Sequence, residues 1–128
     1  MVLSFPESGS KVILEYYEDR RENYPALNFI YQDLSEPERK KTVRLLERIK
    51  VHGLPQNDQK FKKLREDLYE IKPTNQVRLI CYMRKHVAPM TLVILFGIKK
   101  KASGLKRSDI NRAENLIRAI KGQGSILP

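Results

Sequence analysis

Residues 60–101 read KFKKLREDLYEIKPTNQVRLICYMRKHVAPMTLVILFGIKKK. Three apolar, strand-like runs follow one another there, at about 67–72, 76–84 and 91–99, with two short turns between them. Paired as antiparallel hairpins, they bring Lys72, Arg78, Lys99, Lys100 and Lys101 to one end of the sheet. A turn across Val87–Met90, centred between Ala88 and Pro89, sets Arg78 beside Lys99, and a turn at Pro73–Gln76 sets Lys72 beside Val77 and Arg78. Directly opposed residues lie about 5 Å apart, close enough for like charges to repel. An anion held among them relieves that repulsion. Lysines that only keep an apolar strand end soluble are the alternative.

Outward from this meander, the chain alternates elements. Val12–Tyr17 is strand-like. Asn23 caps a short helix with Pro25 in its first turn, marked by Leu27, Ile30, Tyr31 and Leu34. Ser35 and Glu38 have capping-box spacing at the start of a second helix, whose buried face is Val43, Leu45, Leu46 and Ile49 and whose stop is Gly53. Residues 54–59 read as a polar linker. Ser108 caps a last helix carrying Ile110, Ala113, Ile117 and Ile120, which Gly122 ends. Residues 1–10 and 122–128 read as loosely ordered ends. The expected class is α+β: one domain over 1–128, with a small antiparallel sheet built from one strand, two helices, a three-strand meander and a C-terminal helix. Packing all the helices on one side of the sheet is the economical arrangement.

A length of 128 residues and 41% hydrophobic content suit one domain with one core. The longest apolar run, Leu92–Ile98, is far below spanning length, so no membrane association is expected. The N-terminus has no secretory pattern, and the single Cys81 sits within an apolar run, so a cytoplasmic location and an inert thiol are expected. The net charge of +10 is one-sided: residues 1–59 hold 9 Lys/Arg against 10 Asp/Glu, and residues 60–128 hold 16 against 5. Such a field favours a polyanion, nucleic acid first and an acidic protein segment second.

Other chemistries lack their residues. Two His, one Cys and no CxxC or HExxH motif leave no metal site, and no cofactor is implied. No nucleophile elbow or phosphate loop is present. His52 reads as a solvated or dipole-complementing residue in the last turn of its helix. What remains is cation-driven cleavage of a phosphodiester. RNA supplies its own 2′-OH nucleophile, so clustered Lys and Arg need only orient it and stabilise the charge that builds on phosphorus.

The blocks LYEIK (68–72), VRLICY (77–82) and LFGIKKK (95–101), and the helix containing Asn111-Arg112-Ala113, resemble the RelE/HigB superfamily of bacterial and phage toxins, in particular its phage-derived, HigB-like branch. The resemblance runs from Val12 to Lys121. It implies a type II toxin: an mRNA endoribonuclease acting on the ribosome, partnered by a cognate antitoxin of helix-turn-helix type. By position it matches Lys72, Arg78, Lys99 and Lys100 and makes Arg78, Lys99 and Lys100 catalytic; with no late Tyr or His in reach, proton transfer falls to Lys100 or Lys101. Lys72, Lys101, Arg107, Lys60 and Lys63 would hold RNA. Relatives that use a late Tyr or His for proton transfer differ from this chain, in which no Tyr follows Tyr82. His86 lies about eight strand residues, or roughly 25 Å, from Arg78. A non-catalytic basic module binding nucleic acid, and a toxin of the same fold directed at DNA gyrase, are the alternatives.

Overall fold

The computed structural model describes residues 2–4, 11–100 and 105–126, with side chains described over 11–100 and 105–122. The element order is β1 (Val2–Ser4), β2 (Val12–Tyr17), α1 (Pro25–Asn28) running into a π-helical turn (Phe29–Asp33), α2 (Glu36–His52), β3 (Phe61–Lys63), β4 (Leu68–Ile71), β5 (Val77–Arg84), β6 (Met90–Lys99) and α3 (Arg107–Ile126). One six-stranded sheet has the order β1-β2-β6-β5-β4-β3. The α+β architecture and the meander are as the sequence implies.

Three features depart from expectation. The sheet is mixed, because β2 pairs parallel to β6, Val12 with Met90 through Tyr16 with Ile94. The chain leaves β2, crosses one face through α1 and α2, starts the meander at the far edge and works back to β2. Two edge strands also lengthen the sheet. Val2–Ser4 pairs antiparallel with Glu15–Tyr17, inside the segment expected to be loose, and Phe61–Lys63 pairs antiparallel with Tyr69–Ile71, ahead of the first strand-like run. Finally, the helices cover both faces. α1, its π turn and α2 pack on Val12, Leu14, Leu79, Cys81, Leu92 and Ile94, while Ala113, Ile117 and Ile120 of α3 pack on Leu68, Ile80, Tyr82, Val93 and Leu95. One-sided packing fails for a physical reason: β5 is buried at every position from Val77 to Met83, so either face left open would expose a row of aliphatic side chains.

Local signals explain the helix ends. Ser35 and Glu38 form the capping box: the Ser35 N–H donates to Glu38 Oε1 at 2.9 Å, and the Glu38 N–H donates to Ser35 Oγ at 3.3 Å. Such a cap contributes about 1 kcal/mol. Gly53 ends α2 with φ +92°, a conformation costly for any residue with a Cβ. Arg39 holds the end of the preceding segment, donating Nε to Ile30 O at 3.1 Å and Nη2 to Leu34 O at 3.3 Å. The last helix starts at Arg107 and passes Gly122 and Gly124, since each glycine removes only about 1 kcal/mol of helix propensity. Lys121 ties it to the sheet through Asp67 at 2.8 Å and lies 5.7 Å from the Tyr82 ring.

The glycine that matters to packing is Gly97 in β6. The Phe29 ring lies against it so closely that an added Cβ would sit inside the ring's van der Waals envelope. The missing side chain lets the α1 segment settle directly on the strand.

Candidate functional site

The strand ends at Ile71, Val77 and Lys99 do lie together, but the sheet separates the cations that leave them. Lys99 pairs with Val77, and Arg78 pairs with Ile98. This is one residue off the expected register. The turn is centred one residue earlier than expected, with Arg84 opposite Thr91, and a bulge beside Leu95 restores only part of the shift. A one-residue slip reverses the face. Arg78 therefore points to the α3 side, with Ile80 and Tyr82, and Lys99 to the α2 side, where its Nζ meets Glu38 Oε1 at 2.9 Å. The expected juxtaposition of Arg78 and Lys99 does not occur.

Lys72 and Arg78 do converge, around a carboxylate. Glu70, 5% exposed, has Oε1 3.8 Å from Lys72 Nζ and Oε2 3.6 Å from Arg78 Nε. Neither Glu70 Oε2 nor Arg78 Nε has a hydrogen-bond partner, so the attraction is ionic across a slightly long gap. The rest of each cation is spent on backbone carbonyls. Arg78 Nη1 donates to Thr74 O at 2.8 Å and Val77 O at 3.0 Å, and Lys72 Nζ donates to Asp58 O at 2.6 Å. Arg78, 8% exposed, thus pins the β4–β5 turn, and Lys72 pins the loop before β3. Thr74 Oγ1 stiffens the same turn by accepting the N–H groups of Gln76 and Val77 at 3.2 and 3.0 Å.

Both pinned segments are walls of one groove. Its volume is about 680 Å³, and its lining is Pro73–Gln76 and Lys60 on one side and Glu38, Lys41, Arg44, Leu45 and Arg48 of α2 on the other. Lys60 Nζ reaches Pro73 O at 3.5 Å and links the two wall segments. Four cations line this groove against one carboxylate, Glu38. That carboxylate is already engaged by Ser35 and Lys99, which hold its pKa down from 4.5 to about 2, the Ser35 backbone N–H contributing most. Lys41, Arg44 and Arg48 make no side-chain hydrogen bond or ion pair among the described residues. They are the cations with charge to spare.

These three residues escaped the sequence reading, although a signal was present. They recur at i, i+3 and i+7 along α2, beside its buried stripe of Thr42, Leu46 and Ile49. Only the tertiary placement of α2 opposite the β4–β5 turn makes a groove of that stripe. Of the other expected residues, Lys100 is half-buried and its backbone N–H donates to Gln76 O at 2.7 Å, which holds the end of β6 to the groove wall. Lys63 is exposed on the edge strand β3, and Arg107 is exposed at the start of α3. Lys101 lies outside the described residues. His86 is exposed in the β5–β6 turn, at the opposite end of β5 from Arg78. Cys81 is fully buried, and burial pushes its thiol pKa up, so it offers no thiolate. Among the described residues no group of His, Cys, Asp and Glu is arranged to hold a metal, and no helix is long and apolar enough to cross a membrane.

Fold and groove together define a small α+β protein with a cation-lined cleft beside its second helix. Residues 31–118 match the family described as Phage derived protein Gp49-like (DUF891), and the chain belongs to that family. It is a family of the RelE/HigB-like toxin superfamily and is associated with the toxins of toxin–antitoxin pairs. No curated protein matches the chain.

Proposed function

We propose that the chain is the toxin of a toxin–antitoxin pair and an endoribonuclease that cuts mRNA as it is translated, with the RNA backbone lying in the α2 groove. One observation carries the reading: three cations of α2, unpaired among the described residues, face Lys60 across a cleft whose one carboxylate is already neutralised. Phosphates supply the charge this surface lacks, and RNA supplies the nucleophile the protein lacks. In the step itself the 2′-OH attacks the adjacent phosphorus and the 5′-oxygen leaves with a proton, giving a cyclic phosphate and a 5′-hydroxyl end. Lys41, Arg44, Arg48 and Lys60 stabilise the charge on the phosphoryl oxygens. Lys99 adds positive charge beside Glu38, and Arg78 and Lys72 act from behind by fixing the two walls. The cognate antitoxin is the second partner of this reading.

The test is expression of the chain and of a Lys41→Gln/Arg44→Gln/Arg48→Gln variant in growing cells, with RNA ends mapped by 5′-hydroxyl ligation. Growth arrest and new 5′-hydroxyl ends within coding regions are expected from the parent and not from the variant. Equal potency of the two would refute the groove assignment. A non-catalytic nucleic-acid module is the second reading, favoured by the absence of imidazole or phenol from the lining of the 680 Å³ groove. It predicts RNA binding that weakens steeply with salt, and no new ends.

A further inference from the structure

The groove does not stop at Arg48. A second cavity of about 380 Å³ is lined by Leu45, Arg48 and Lys60, which it shares with the first, and by Ile49, His52, Gly53, Leu54, Pro55 and Asn57. The two cavities adjoin along α2. Lys41, Leu45, Arg48 and His52 fall on a single helical stripe at i, i+4, i+7 and i+11, with His52 one turn beyond Arg48. The second cavity has two cations and no carboxylate in its lining. His52 is exposed in the last turn of α2, and its side chain makes no hydrogen bond or ion pair among the described residues, so it is free to meet a ligand in this cavity.

We propose that His52 is the proton-transfer residue of the RNA cleavage described above, acting at the phosphodiester held between Arg48 and Lys60. The inference rests on that reading and supplies the group its chemistry requires. Attack by the 2′-OH forms the O2′–P bond as the P–O5′ bond breaks, and the imidazolium of His52 gives its proton to the departing O5′. Solvent takes the proton of the attacking hydroxyl, so no further co-reactant is needed. Lysine and arginine side chains keep their protons near neutral pH, whereas imidazole exchanges one there. Of the chain's two histidines, His86 sits in the β5–β6 turn and lines neither cavity.

The experiment compares the full chain with His52→Asn, His52→Gly and His86→Asn, assayed as cleavage of an mRNA on translating ribosomes from pH 5 to 9. Thermal melts check folding. His52→Asn is expected to lose about 100-fold or more in kcat, with KM within threefold and the alkaline limb of the pH profile absent. His86→Asn is expected to retain full activity. Added imidazole is expected to restore His52→Gly at least tenfold, a rescue that a structural role would not show. Cleavage by folded His52→Asn within threefold of the parent, with an unchanged pH profile, overturns the proposal and leaves the endoribonuclease reading intact. A parent chain that arrests growth and cuts no RNA overturns both.

Discussion

Replacing Arg78 with alanine is the change whose outcome separates scaffolding from direct chemistry. The guanidinium is 8% exposed, 3.6 Å from Glu70 Oε2, and holds two carbonyls of the β4–β5 turn. Its loss leaves Glu70, itself 5% exposed, with Lys72 at 3.8 Å as the remaining counter-charge. Removing one partner of a buried ion pair costs about 3–5 kcal/mol. The remaining ammonium places this case near the low end, and the Thr74 carbonyl recovers water when released. A loss of about 3 kcal/mol follows, against a total of about 5–15 kcal/mol for a domain of this size. Urea denaturation followed by circular dichroism gives the number directly, with an unchanged m-value as the check on two-state behaviour. Adding Glu70→Gln to Arg78→Ala should recover about 1 kcal/mol or more, because it removes a buried charge with a weakened partner. A loss under 1 kcal/mol for Arg78→Ala would mean that the guanidinium stands in water, and the brace argument would fail. Loss of toxicity in Arg78→Ala therefore counts as catalytic evidence only when the folded fraction has been measured.

Two further outcomes follow from packing and from charge. Gly97→Ala should destabilise by about 1–3 kcal/mol, since the Phe29 ring has to leave β6, and Phe29→Leu in that background should recover part of the loss in thermal melts. Glu38 has a folded pKa of about 2 against an ordinary 4.5, so its contribution is complete above about pH 4.5 and disappears as pH falls through 2. The stability gap between the parent and Glu38→Gln should close over that interval. A gap that stays constant from pH 5 to pH 2 would argue against the double engagement by Ser35 and Lys99.

Elements whose cause is local were legible in the sequence, and those whose cause is tertiary were not. The capping box at Ser35 and Glu38, the stop at Gly53 and the runs of β2, β5 and β6 each declare themselves within a few residues. The edge strand β3 is only three residues long and two of them are lysines, so no alternation marks it. The parallel partner of β2 is set by how the whole chain wraps. The Arg78–Lys99 register departs at two points, the turn centred one residue early and the bulge beside Leu95: a sequence count carries the register across β6 only if every residue is paired, and one unpaired residue leaves Lys99 on the other face from Arg78. The register that sets Lys72 beside Arg78 is as the sequence implies, but the buried Glu70 between them has no local signal, because its burial comes from the whole sheet. His52 was dismissed because a helix C-terminus explains a histidine adequately until a cavity is found beside it.

The parallel pairing of β2 with β6 joins residues 78 positions apart, Val12 with Met90. A ribosome making this chain must deliver nearly three-quarters of it before the second strand finds its parallel neighbour, and the exit tunnel delays the event further. For that period the nascent chain has no finished cleft. Early termination anywhere before β6 then yields a fragment with an unsealed sheet edge, a substrate for proteases.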